Sequence, residues 1–257
     1  MTDAFGPGLK EWRARRRLSQ LDLALEAGVS ARHVSFMETG RSRPSPGMVM
    51  QLCEVLRIPR AARNQLLTLA GHAPAYAARP EDAPDLAPLQ DAINRMLTTH
   101  DPYPAIVLDR NWTALRFNRA AARLFGAAGI HVGDNILAAF INGDALAAVQ
   151  NIDEVVAHLV TRLRTELTYY GADDLRERAI ATLTEAYPAA NDPVPGAHPA
   201  LIPVRYETPL GLLSLFSTFA QFGSVEDITY GDLQIEMMHP ADEGSRQILE
   251  MLDATSA

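Results

Sequence analysis

Between Ser30 and Arg43 the chain carries side chains suited to gripping a nucleic acid: Arg32, Ser35 and Phe36 at helical spacing, with Arg41 and Arg43 just beyond. An arginine can donate two parallel bonds to guanine O6 and N7, a serine hydroxyl can bond several base edges, and a phenyl ring can meet a thymine methyl. Ser30 and Ala31 stand at the start of the same segment, where a helix entering the major groove comes nearest the bases. Arg41 and Arg43, in the loop Thr39 to Pro44, are placed for phosphates, which fix register and supply salt-dependent affinity without reading sequence. Val34 and Met37, three apart, must share the buried side of a helix, and that turns Arg32, Ser35 and Phe36 outward. Phe36 has a second reading, as packing under the loop that follows.

Presenting such a face takes two capped helices and a tight turn, and the flanking residues supply them. Ser19 is a candidate N-cap, and Asp22 can return its bond to complete a capping box ahead of the apolar set Leu21, Leu23, Ala24 and Ala27. Gly28 suits a left-handed helix exit, and Ser30 can cap a second helix from Ala31 to about Glu38. Ser45 followed by Pro46 reads as a cap with proline at the first helical position. Further helices are predicted over Gly8 to Arg17, Pro46 to Leu56 and Arg60 to Ala70.

The run WRARRRLSQLDLALEAGVSARHVSFMETGRSRPS, within Leu9 to Gly71, resembles the five-helix Cro/C1 or XRE-type domain of phage repressors and bacterial regulators. The resemblance implies a helix-turn-helix that binds a double-stranded DNA operator, with Gln20 holding a phosphate. It also implies a structural pair between Arg13 of the first helix and Glu38 at the end of the recognition helix.

Charge divides the chain in the same way. Met1 to Arg79 carries 12 basic against 6 acidic residues, whereas Pro80 to Ala257 carries 11 against 25. Only the first part suits a polyanion, and the acidic remainder must stand away from phosphate. With 257 residues and 47% hydrophobic content, the chain can bury two cores. The single cysteine, Cys53, excludes an internal disulfide and a cysteine-rich metal site and reads as a small core residue. There is no apolar leader near Met1 and no apolar run long enough to span a bilayer, so a cytoplasmic location without membrane attachment is expected.

Domains are expected at residues 1–73 and 89–257, joined by a semi-rigid linker over 74–88 in which Pro74, Pro80, Pro84 and Pro88 interrupt all periodicity. Beyond it the helix Pro88 or Leu89 to Thr98 is followed by a hairpin, Pro104 to Leu108 and Trp112 to Phe117, and Asn118 caps a helix to Phe125. The middle, from about Asp144 to Tyr187, has helical periodicity; NDPVPGAH is a loop. Strands are predicted at Ala200 to Tyr206, Gly211 to Thr218 and Ile228 to Met238, then a helix from Ala241 to Leu252. The fold class is therefore an all-α five-helix unit followed by an α+β unit that begins as PAS-type sensor domains do.

The block PLGLLSLFSTFAQFGSVEDITYGDLQIEMMHPADEGSRQIL resembles the C-terminal ligand-binding domain of MmyB-like regulators, a PAS-like fold able to hold a fatty acid or similar apolar ligand. On that resemblance, a pocket is expected between the helix of Val155 to Leu163 and the sheet, lined by Phe117, Val156, Leu159, Leu163, Leu213, Leu215, Phe216 and Met237. Period two places Phe216 and Phe222 on one face of their strand and Phe219 on the other, unless a bulge near Ala220 intervenes.

Catalytic signatures are absent from the sequence. The seven histidines form no HExxH or HxxxH pair, no phosphate loop, GxGxxG or GxSxG occurs, and Asp242 and Glu243 read as acids at a helix start. The expectation is a non-enzymatic, cofactor-free and metal-free DNA-binding regulator, homodimeric, controlled by a small apolar ligand. The alternative is a constitutive repressor whose second domain serves only dimerisation or docking, and a haem or flavin sensor is a third reading that colour would reveal.

Overall fold

The structure, a computed structural model, describes residues 5–79, 83–142, 146–191, 201–222 and 227–254. The chain divides into two compact units. One holds the chain up to Ala78 together with Arg164–Asp173 and a short piece ending at Ile228, and the other holds the rest.

The first unit contains α1 (Phe5–Arg15), α2 (Gln20–Glu26), α3 (Ala31–Glu38), α4 (Pro46–Val55) and α5 (Arg60–Leu69). Each boundary has a local cause. The Ser19 hydroxyl accepts from Asp22 N, and the Asp22 carboxylate accepts from Ser19 N at 2.8 Å, so the capping box opens α2. The Ser30 and Ser45 hydroxyls accept from His33 N and Met48 N, opening α3 and α4. Gly28 takes φ +61°, the left-handed turn that lets α3 leave α2 within three residues. Leu9, Trp12, Leu23, Ala24, Val34, Met37, Leu52, Leu56 and Leu67 meet in one buried core. Cys53 lies in it, and burial pushes its thiol up to about 12.

Two details differ from expectation. The first helix begins at Phe5, whose side chain is buried, and not at Gly8. Leu21 is 57% exposed, because α2 is phased by Leu23, Ala24 and Ala27 and a fourth apolar position falls on the outer side. The start of the semi-rigid linker is tied to α5: the Asn64 carboxamide accepts from Ala75 N and Tyr76 N and donates to Tyr76 O.

The second unit is built on an antiparallel five-stranded sheet in the order β2-β1-β5-β4-β3. Its strands are β1 (Ala105–Leu108), β2 (Ala114–Phe117), β3 (Val204–Thr208), β4 (Gly211–Ala220) and β5 (Gln234–Pro240). Around it lie α6 (Ala87–His100), α7 (Arg119–Ala127), α8 (Ile136–Asn142), α9 (Ile152–Tyr170), α10 (Asp174–Ala186), α11 (Ile228–Gly231) and α12 (Glu243–Ala254). Asn118 caps α7 by accepting from Ala121 N, as its place after the hairpin predicts. Asp242 accepts from Ser245 N at the start of α12. The loop expected over NDPVPGAH lies, apart from Asn191, outside the described residues, as do Asp144 and Ala200.

The strand expected from Ile228 to Met238 is a helical turn, α11, followed by a strand that begins only at Gln234. Gly231 ends α11 and Asp232 follows it, residues that terminate a helix more readily than they continue a strand. The sheet buries a different cluster on each face. Ile106, Leu108, Leu213, Leu215 and Met238 meet α9 and α10, while Ala105, Val107, Ile235 and Met237 meet α6.

Candidate functional site

On α3 the outward face develops as the apolar phasing demands. Val34 and Met37 are fully buried, Arg32 is exposed, and Ser35 and Phe36 are half-buried. The Phe36 ring sits between two guanidiniums, with Arg32 at 5.1 Å and Arg41 at 5.9 Å from its centroid. Both readings of Phe36 thus have a structural basis, since Arg41 N and Ser42 N also donate to Phe36 O and wrap the loop around the end of α3. Ser30 spends its hydroxyl on the helix cap, and Ala31 stands half-buried beside it.

The phosphate candidates divide. Arg41 is exposed beside Phe36, whereas Arg43 donates from Nε to Ala70 O at 2.9 Å and from Nη2 to Gly71 O at 3.3 Å, bracing the end of α5. Gln20 donates from Nε2 to Glu38 Oε2 at 2.7 Å. Glu38 is the hub: Arg13 reaches it from Nε at 2.6 Å and from Nη2 at 3.0 Å, and Arg13 Nη1 continues to Leu18 O. Burial pushes the Glu38 carboxyl up, but the bonds from Arg13 and Gln20 outweigh it and hold the group below its ordinary value. The Arg13–Glu38 pair expected from the family resemblance is therefore present and bidentate.

In the second unit a cavity of about 1050 Å³ opens between α9 and the sheet. Its apolar wall includes Ile106, Phe125, Phe140, Leu159, Leu215 and Met238. Trp112 enters it from the hairpin: Asp109 accepts from Asn111 N and Thr113 N, and the tight turn holds Trp112 at φ +67°. That left-handed conformation is costly for an aromatic residue and persists because the turn over-determines it. Against the Trp112 ring lies the Arg162 guanidinium of α9 at 4.1 Å, with Phe219 on β4 at 4.6 Å.

Of the residues expected to line this space, Leu159 and Leu215 border it, and Phe216 touches its edge while its ring lies with His239 on the opposite face of the sheet. Val156, Leu163 and Leu213 are fully buried in the core behind the wall, and Phe117 stacks on Phe125 at 5.4 Å. Met237 is a correction: it faces α6, and its neighbour Met238 lines the cavity, because alternate residues of β5 point to opposite faces. The Phe216 ring stacks on His239 at 5.2 Å, while Phe219 covers Arg162, as period two without a bulge requires.

Trp112, Arg162 and Glu236 are among the lining residues that the sequence reading did not single out. Alternation through Gln234, Glu236 and Met238 was available as a signal for one of them. Among the described residues no group of histidine, cysteine or carboxylate side chains is arranged to hold a metal ion, and no helix is long and apolar enough to cross a membrane.

A capped helix pair with a basic outer face, together with a PAS-like α+β unit holding a cavity, defines a helix-turn-helix regulator carrying a ligand-binding unit. The comparisons agree. Residues 89–252 match the MmyB-like transcription regulator ligand binding domain and residues 9–62 match a helix-turn-helix family, so the chain belongs to the MmyB-like transcription regulators. It is 36% identical over 73 residues to an uncharacterized HTH-type transcriptional regulator, RghRB of Bacillus subtilis (strain 168). That match covers 28% of this chain and 50% of the relative, so the chain spans about half the length of the curated relative it matches. Among solved structures, an RNA-binding light-oxygen-voltage receptor aligns over 96% of this chain and 63% of its own, at 14% identity and a TM-score of 0.24, too loose a likeness to bear on the fold.

Proposed function

We propose that this protein is a sequence-specific, DNA-binding transcription regulator whose second unit takes a small apolar, fatty-acid-like molecule. The observation that carries the first half is the outer face of α3 and the loop after it, where Arg32 of the helix and Arg41 of the loop flank the Phe36 ring and the helix is capped at its start. In this reading Ser30, Ala31, Arg32, Ser35 and Phe36 read bases, and Gln20, Arg41 and Arg43 meet phosphates. The protein acts in the cytoplasm as a homodimer, because two recognition helices must meet half-sites about 34 Å apart. Ligand binding alters affinity by favouring one dimer geometry over another.

The test has two arms. Selection from a random pool of duplexes should enrich a palindromic sequence that Arg32→Ala no longer distinguishes, and recovery of no sequence would overturn the DNA reading. A thermal-shift series of acyl compounds should stabilise the protein increasingly with chain length until the cavity is full, each buried CH₂ contributing about 0.8 kcal/mol. A flat series would leave dimerisation or docking as the role of the second unit.

A further inference from the structure

One polar group on the cavity wall is left over by the protein's own bonding. β3 sets Tyr206 opposite Leu213 of β4 and Val204 opposite Leu215, so the sheet face that turns Leu213 and Leu215 towards α9 carries the Tyr206 phenol as well. The backbone there is held from both sides. β4 pairs along one edge of β3, while on the other Gln150 N donates to Arg205 O at 2.8 Å and Val149 bridges to Tyr206. Arg162, Glu236 and Ser217 on the same wall satisfy one another: Arg162 Nη1 stands 3.8 Å from Glu236 Oε2, its Nη2 donates to Gln234 Oε1 at 3.0 Å, and Ser217 Oγ donates to Glu236 Oε1 at 2.6 Å. Tyr206 differs. Among the described residues none hydrogen-bonds its hydroxyl, and no fully buried side-chain oxygen among them lacks a partner, so the hydroxyl opens onto the cavity that the residue lines. Burial pushes the phenol up to about 12, with the charge of Glu236 a second cause, so it keeps its proton throughout the neutral range and can donate it.

We infer that the Tyr206 hydroxyl anchors the head of the ligand by donating a hydrogen bond to an oxygen of an acyl group. A phenol inside a protein normally finds a partner, and here the partner comes from whatever occupies the cavity. An acyl head supplies the acceptor that the wall does not; a plain hydrocarbon or an ammonium head has none. Arg162 is the other donor on the inner wall, but its guanidinium is engaged by Glu236, Gln234 and the Trp112 and Phe219 rings, and recruiting it would break that set. A head held by a hydrogen bond and not by an ion pair need not be charged, so a fatty acid and its neutral ester should both be held. This inference rests on the reading of the cavity as a ligand site.

The test uses the full chain at neutral pH with two probes, dodecanoate below its micellar concentration and methyl dodecanoate. Tyr206→Phe removes the hydroxyl and keeps the ring. It should weaken dodecanoate binding in a calorimetric titration on the order of tenfold, the scale of one hydrogen bond in a desolvated site, and a loss below about twofold overturns the inference. The ester reports the bond itself, because its infrared carbonyl stretch lies clear of the protein amide bands and falls in frequency when the oxygen accepts a hydrogen bond. Bound to the wild-type protein it should absorb below its position in Tyr206→Phe. A wild-type band at the frequency the ester has in a hydrocarbon solvent overturns the inference without recourse to the variant. Binding of dodecanoate with none of the ester would show that an ion pair holds the head and would also overturn it. Failure of both probes to bind the wild-type protein removes the ligand site itself.

Discussion

Replacing Arg13 by alanine strands the Glu38 carboxylate inside the first unit, and the consequence can be worked out from the pair itself. The Glu38 side chain is 2% exposed and that of Arg13 13%, so neither charge is screened by solvent to any extent. Three donors converge on the carboxylate: two from Arg13 and one from Gln20. Removing one partner of such a pair costs about 3 to 5 kcal/mol, because the other keeps its desolvation penalty without its compensation. A domain has only about 5 to 15 kcal/mol in total. With a urea dependence of about 1 kcal/mol per molar for so small a unit, the midpoint should fall by ~3 M or more. The chain has two tryptophans, Trp12 in the first unit and Trp112 in the second, so a Trp112→Phe background lets Trp12 fluorescence report the first unit alone. Arg13→Met with Glu38→Leu should recover much of the loss, since an apolar pair of similar volume has no charge to desolvate. A loss below about 1 kcal/mol in Arg13→Ala would place the pair among solvent-screened surface bridges and refute the reasoning. The pH dependence has a defined sign. Glu38 is held below its ordinary 4.5, so its contribution is complete above that value and is lost as pH falls through it toward the folded-state value. Glu38→Gln should flatten that acid limb.

Four further outcomes are expected. Arg41→Ala should reduce the slope of log DNA affinity against log salt by about one unit and leave the melting temperature unchanged. Arg43→Ala should reduce both, because its guanidinium also braces the end of α5; a lower melting temperature with an unchanged slope would make Arg43 a brace alone. Cys53 should resist a thiol reagent in the native protein and react only on unfolding, since burial keeps it protonated, and rapid native labelling would contradict its place in the core. His239 is held below its ordinary 6.5 by burial and then by His100, so acidification through 6.5 should destabilise the second unit, and His239→Gln should lessen that loss on a circular-dichroism melt.

The helix-turn-helix was legible because its information is local. Ser19, Asp22, Gly28, Ser30 and Ser45 act on neighbours within four residues, and each does in the structure what its type and position announce. Bonds that join distant positions were not written in any one segment. Arg43 sits in a basic loop and reads as a phosphate contact, yet its acceptors Ala70 and Gly71 lie at the end of α5. Nothing near Gln20 shows that its carboxamide turns inward to Glu38. The resemblance to XRE-type domains supplied Arg13 and Glu38 as a pair, which spacing alone does not.

The second unit shows the same limit at the scale of a sheet face. Most of its elements were readable from turns, caps and periodicity, but α8 was not, the strand expected from Ala200 to Tyr206 runs from Val204 to Thr208, and α11 interrupts what looked like one strand. Choosing which residues face the cavity needs parity, and parity is lost by a shift of one position. Selecting Met237 and not Met238 transfers a side chain from the α9 side of the sheet to the α6 side. The same one-step choice conceals Glu236, whose neighbours Ile235 and Met237 are the hydrophobic residues that draw the eye. Apolar residues dominate a wall by number, and for that reason an apolar pattern locates the wall without revealing its chemistry. That chemistry lies in the few polar groups that interrupt the pattern, among them Arg162, fixed by Trp112, Phe219, Gln234 and Glu236 at positions scattered over α9, the hairpin and two strands. Only the assembled sheet brings them together.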